Sequence, residues 1–139
     1  MSDATFEKLT RSDKTLYGPR KLLLCGFTAD TQPKFEYLLK MLEMTDVPLV
    51  WASVDHAGMR MSELLELPAG SGGGADSGLP RAIIVSGITG MQLHGLMGVC
   101  RKAGMKQALW ATVTPSSENW VLSRLLTELS AEREALKSL

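Results

Sequence analysis

Arg81-Ala82-Ile83-Ile84-Val85-Ser86-Gly87-Ile88-Thr89 decides the fold of this 139-residue chain, because it has a counterpart in Lys21-Leu22-Leu23-Leu24-Cys25-Gly26-Phe27-Thr28. Each is a short apolar run that closes on a glycine, the pattern of a strand buried on both faces. Gly26-Phe27-Thr28 and Gly87-Ile88-Thr89 lie 61 residues apart. Trp51-Ala52-Ser53-Val54 is echoed by Trp110-Ala111-Thr112-Val113, 59 residues on. Ser62-Glu63-Leu64-Leu65 is echoed by Ser123-Arg124-Leu125-Leu126, again 61 on. The echoes keep one order, which predicts two similar units of about 60 residues.

Each strand leads into a helical pattern. Phe35, Leu38, Leu39 and Leu42 recur at the spacing of one helix face, as do Leu93, Leu96, Met97 and Cys100. Second strands follow at Leu49 to Val54 and Leu109 to Val113, then a short helix from Met59 to Leu67 and a long one from Ser116 to about Leu136. Thr114-Pro115-Ser116 supplies a hydroxyl cap and a proline suited to a first turn. Strands alternating with helices predict an α/β fold of two βαβα units. The sheet is expected to be four-stranded and mostly parallel, in order 2-1-3-4, with helices on both faces and a pseudo-twofold relating the halves. Residues 1–20 read as an N-terminal arm, and 21–139 as one domain of two repeats, 21–68 and 81–139. The connection 69–80 is rich in Gly and Ser and predicts a flexible coil.

Fifteen basic residues balance fifteen acidic ones, with no long basic run. That argues against nucleic acid or an anionic membrane as partner. No apolar stretch reaches the ~20 residues of a membrane span, and the polar N-terminus has no signal-peptide core. With only two cysteines, no disulfide scaffold is expected and the cytoplasm is the default compartment.

In open α/β sheets ligands bind beyond the strand carboxyl ends, where strand order reverses. Here that points to Gly26 and Thr28 after the first strand and Gly87 and Thr89 after the third. Both turns feed helix N-termini, whose free N–H groups favour a small anionic ligand. Thr114, Ser116, Asn119 and Trp120 complete the candidate site from the fourth strand. The plainer reading is that each glycine makes a turn and each threonine caps a helix. Neither loop matches a dinucleotide fingerprint or a P-loop, so no cofactor is expected. Cys25 and His56 stand at the ends of adjacent strands and form the one nucleophile–base candidate, although Cys25 continues an apolar run. Cys25, His56, His94 and Cys100 match no common zinc spacing.

Thr112-Val113-Thr114-Pro115 followed by Trp120-Val121-Leu122 resembles an uncharacterised prokaryotic family of small domains of unknown function. In that family an apolar strand, a Gly-containing turn and a helix precede a strand ending in Thr-Pro, and a Trp opens the last helix. Ile83 to Thr89 fits the first strand and turn, and Lys102-Ala103-Gly104 the helix end. The resemblance covers about residues 81–130, and more loosely 21–68. It departs from the family at Ser117, where the family carries Asn; the nearest Asn is Asn119. The resemblance implies a fold and no activity.

Three functions follow as expectations. The first is a non-enzymatic binding or regulatory module with its site at the strand carboxyl ends. The second is a protein-interaction domain, homo-oligomeric or docking a partner through an edge strand or the last helix. The third is an enzyme using Cys25 and His56.

Overall fold

The computed structural model describes residues 14–105 and 108–137. Much of the expected N-terminal arm, residues 1–13, lies outside the described residues. The strands are β1 (Lys21–Cys25), β2 (Leu49–Ala52), β3 (Ala82–Ser86) and β4 (Leu109–Thr112). The helices are α1 (Gln32–Met41), α2 (Met61–Leu64), α3 (Gly90–Lys102) and α4 (Leu122–Lys137). One four-stranded sheet forms in the order β2-β1-β3-β4, as expected.

The ladders β1–β2 and β3–β4 are parallel, but the central β1–β3 pair is antiparallel. This departs from a single parallel run through the sheet. The connection between β2 and β3 explains it. Ser71 pairs in parallel with Val50 on the outer side of β2. The chain then passes the carboxyl end of β1, where Ser77 N–H donates to Phe27 O at 3.2 Å. Gly26 there abuts Pro80 and Arg81, so β3 starts where β1 ends and runs back. Both central strands are buried at every position and read equally well in either direction.

The central register pairs Leu23 with Ile84, residues 61 apart. The same offset carries Leu22↔Leu49 onto Ile83↔Trp110, and Leu24↔Trp51 onto Val85↔Thr112. Trp110 therefore corresponds to Leu49 and not to Trp51; the 59-residue echo between the tryptophans is out of register by two. An even slip leaves both rings on the same side of the sheet, and both touch one core cluster. Gly87 abuts Pro19 and Arg20 as Gly26 abuts Pro80 and Arg81. Both glycines have positive φ, +67° and +78°, which other residues adopt only under strain.

Alternate side chains of the strands enter two separate clusters. Leu22, Leu24, Ile83 and Val85 pack with Phe35 and Leu39 of α1 and Leu93, Leu96 and Cys100 of α3. Leu23, Cys25, Ala82 and Ile84 pack with Met61 and Leu64 of α2 and Leu122, Leu125 and Leu126 of α4. Thr89 caps α3 through a reciprocal box with Gln92. The last helix starts later than Pro115 predicts. Ser117–Asn119 forms a separate 3-10 turn, and Trp120 is extended. The reason is a clasp: Met61 N–H donates to Trp120 O, and Leu122 N–H to Met59 O, both at 2.9 Å. These bonds hold the backbone around Trp120 out of the helix. The Arg60↔Val121 bridge they flank again joins residues 61 apart.

Candidate functional site

The antiparallel centre separates the predicted site residues. Gly26 and Thr28 lie beyond one end of the central pair, Gly87 and Thr89 beyond the other. The two turns do not share a pocket. At the first, Thr28 Oγ1 donates to Asp30 Oδ1, and Ala29 N–H donates to Asp76 Oδ1 at 2.7 Å. The bond from Thr28 holds the Asp30 carboxyl below its usual range. This helix start already faces two carboxylates of its own chain, which repel an incoming anion. At the second, Gln92 N–H donates to Thr89 Oγ1 and Gly90 N–H to Lys14 O.

Thr114 and Ser117 form a closed local pair. Thr114 N–H donates to Ser117 Oγ at 3.0 Å, and Ser117 N–H to Thr114 Oγ1 at 3.1 Å. Ser117 is buried, while Ser116 and Asn119 are exposed. The residue in the Asn position of the resembling family is thus the one that ties the turn. Its counterpart 61 residues earlier is His56, whose Nδ1 accepts from Ser53 N–H at 2.9 Å. Trp120 is half-buried, with the Arg124 guanidinium 4.0 Å above its ring.

Cys25 is fully buried, and that burial pushes its thiol up to about 12. It is protonated at neutral pH, whereas a nucleophilic cysteine needs the opposite shift. Among the described residues no three His, Cys, Asp or Glu side chains gather as a metal site. No helix among them is long and apolar enough to cross a membrane.

The feature that stands out is the edge of the sheet at β4. On the opposite edge, β2, Trp51 N–H donates to Ser71 O at 2.8 Å and Gly70 N–H to Leu49 O at 2.7 Å. The Gly-Ser connection thus covers β2 instead of forming a free coil. Beyond it, Ser77 Oγ accepts from Gly26 N–H and donates to Ala52 O. On β4, Leu109 N–H and Val113 N–H bond inward to β3. Strand alternation then turns the amides of Trp110 and Thr112 outward. No described residue pairs with them.

Beside this edge, β4 and α4 enclose a groove of about 330 Å3. Trp110, Trp120, Leu125 and Leu129 supply its apolar wall, and Glu128 and Glu132 its acidic rim. Thr114 and Trp120 of the predicted set line it, together with Ser117. An edge strand and the last helix were expected in sequence as docking elements; the groove that Trp110 and Thr112 form with α4 was not among the site residues named there. A larger hollow of about 500 Å3 lies along β2 between Glu36, Asp46 and Trp51, beside the edge that is already covered.

Residues 81–136 match the family described as a domain of unknown function, DUF3783. The DUF3783 match spans β3, α3, β4 and nearly all of α4, and so contains the β4 edge and its groove. It agrees with the resemblance read over 81–130, and the first half of the chain lies outside it. No curated protein and no solved structure matches the chain.

Proposed function

We propose that this protein is a non-enzymatic interaction module that takes an extended polypeptide segment along the outer edge of β4. The single observation behind this reading is the contrast between edges: on β2 the connection bonds Trp51 N–H and Leu49 O, while on β4 no described residue pairs with the outward amides of Trp110 and Thr112. An edge of this kind accepts an added strand through main-chain hydrogen bonds, and a neighbouring pocket reads alternate side chains. The groove between β4 and α4 is placed to be that pocket, with Trp110 and Trp120 as aromatic anchors. The 61-residue offset supports a further part of the reading, that the chain is an internal duplication with helices over both faces of the sheet. A small anion at Thr28 or Thr89 has less support, because both turns are satisfied from within.

The test is selection of extended peptides from a displayed random library against the full chain. Backbone amide shifts then locate binding. Selected peptides are expected to move the Trp110 and Thr112 amides and the Trp120 indole, and Thr112→Pro, which removes the outward donor at an edge position, is expected to abolish capture. Peptides that move only residues far from β4 would overturn the reading.

A further inference from the structure

Three of the six exposed large apolar side chains among the described residues belong to the helix pair α1 and α3: Tyr37 at 63%, Met41 at 58% and Met91 at 61%. The two helices run antiparallel on one face of the sheet. At one end Leu42, just past α1, comes within 3.4 Å of where a side chain on Gly95 would begin. At the other, Lys34, Tyr37 and Leu38 share a hollow of about 410 Å3 with Ala103 and Met105. The 61-residue offset maps these ends onto each other, Leu42 with Gly95 becoming Ala103 with Lys34. It also sets Tyr37 against Gly98. The seam between the helices therefore has walls of unequal height. Tyr37 and Met41 rise one turn apart on α1, whereas Gly95 and Gly98 share a face of α3 and carry no side chain. A Cβ at Gly98 would meet nothing within 4 Å. The result is a trough over the half-buried Leu38 and Leu42, which Met91 extends one turn before Gly95.

Charge borders the trough on both sides. Lys40 and Arg101, again 61 apart, take equivalent places on the two outer rims, and both are exposed. Lys34 and Lys102 are exposed nearer the seam. α3 carries no acidic residue. Around α1, Glu36 lines the hollow along β2, Asp30 bonds Thr28, and Glu43 lies past the helix end. We infer that this trough docks an amphipathic helix of a partner protein, one that presents an apolar stripe flanked by acidic residues. Glycine lets a second backbone approach closely. Methionine beside an aromatic wall gives adaptable apolar contact. A helix laid in a groove is held by such anchors along one stripe, and cationic rims set the sign of its flanks. The trough uses no residue of the groove between β4 and α4, so it stands apart from the docking edge.

The test is a displayed library of helix-forming peptides, with an apolar stripe and flanking positions free to be Glu or Lys, selected against the full chain. Enriched peptides are expected to carry Glu on both flanks, and to shift the Gly95 and Gly98 amides while those of Trp110 and Thr112 stay in place. Tyr37→Ala is expected to weaken their binding about tenfold or more. Gly98→Gln fills open space with a better helix former, so the melting temperature should hold or rise while binding is lost. Reversing both rims with Lys40→Glu and Arg101→Glu is expected to cost about threefold to tenfold and to transfer the preference to Lys-flanked peptides. Enrichment without a charge preference, or binding that Gly98→Gln leaves unchanged, would overturn the inference. So would no enrichment, or peptides that shift only other surfaces. Sedimentation with phosphatidylserine–phosphatidylcholine vesicles that Tyr37→Ala abolishes would overturn it as well, and assign the face to a membrane surface.

Discussion

The two edge strands have the same ladder geometry and different surroundings. β2 carries Trp51 within a trio of rings with Phe27 and Phe35, at centroid separations of 5.5 and 6.1 Å. Over its outer side runs the Gly-Ser connection, and a side chain at Gly72 would strike the Trp51 carbonyl. The corresponding residues of the second half are Ile88, Leu96 and Thr112, with no aromatic ring among them. β4 instead carries Trp110, half-buried beside an apolar groove. The first half thus contributes aromatic rings to a core that both halves share, and glycine lets the connection close over its edge. The second contributes aliphatic side chains to that core and carries its aromatic surface at the β4 edge. An edge is made inert by what lies over it, not by its own strand.

The sharpest way to break this contrast is to remove each tryptophan. Trp51→Ala is expected to destabilise by about 3–5 kcal/mol, as for a buried aromatic residue. Trp110→Ala is expected to remove only about 1–2 kcal/mol, in proportion to its smaller buried area. Urea denaturation of both variants decides it, and equal losses would end the distinction. Next, Gly72→Ala forces the cover away from Trp51 and should remove about 1–3 kcal/mol. Faster exchange of the Trp51 amide would show the cover lifting; an unchanged rate would mean that the connection adapts.

Ser77→Ala leaves Gly26 N–H and Ala52 O unpaired next to the buried end of β1, which should cost about 1–2 kcal/mol. The smallest effect concerns the paired positions Arg20 and Arg81. Arg81 lies 4.6 Å above the Phe27 ring, whereas Arg20 bonds Asp46 at 2.8 Å. That bond holds the Asp46 carboxyl below its ordinary value. A carboxyl with a lowered folded pKa contributes stability above its unfolded value, and loses it as pH falls through the folded one. Asp46→Asn should therefore lower the urea midpoint slightly at neutral pH, and the difference should vanish as pH falls through the lowered folded value. A pH-independent difference would mean that the ion pair is not its source.

The strand order was legible because four short apolar runs and their glycine turns are local signals. The direction of the central pair was not. Leu22, Leu23 and Leu24 are apolar on both sides, so nothing in β1 distinguishes a parallel neighbour from an antiparallel one. A clue stood at the head of the two runs: Pro19-Arg20 and Pro80-Arg81 share the 61-residue offset and lie against Gly87 and Gly26 respectively. The tryptophan echo pulled the other way by two residues. For the site, the turns at Thr28 and Thr89 were located by their residue types, but whether they met depended on that one undetermined direction. That β4 is an edge strand followed from the strand order, and docking at an edge was expected from it. The cover over β2 did not follow, because the Gly-Ser connection reads as a free coil, and without that cover the two edges look alike.

The clasp between Met59–Met61 and Trp120–Leu122 and the ladder centred on Leu23 and Ile84 both join positions some sixty residues apart. Neither half can form these bonds alone, and each long closure must meet its entropy before any contact rewards it. Folding of this chain should then be slow for its length and all-or-none, with a transition state that already holds both halves together.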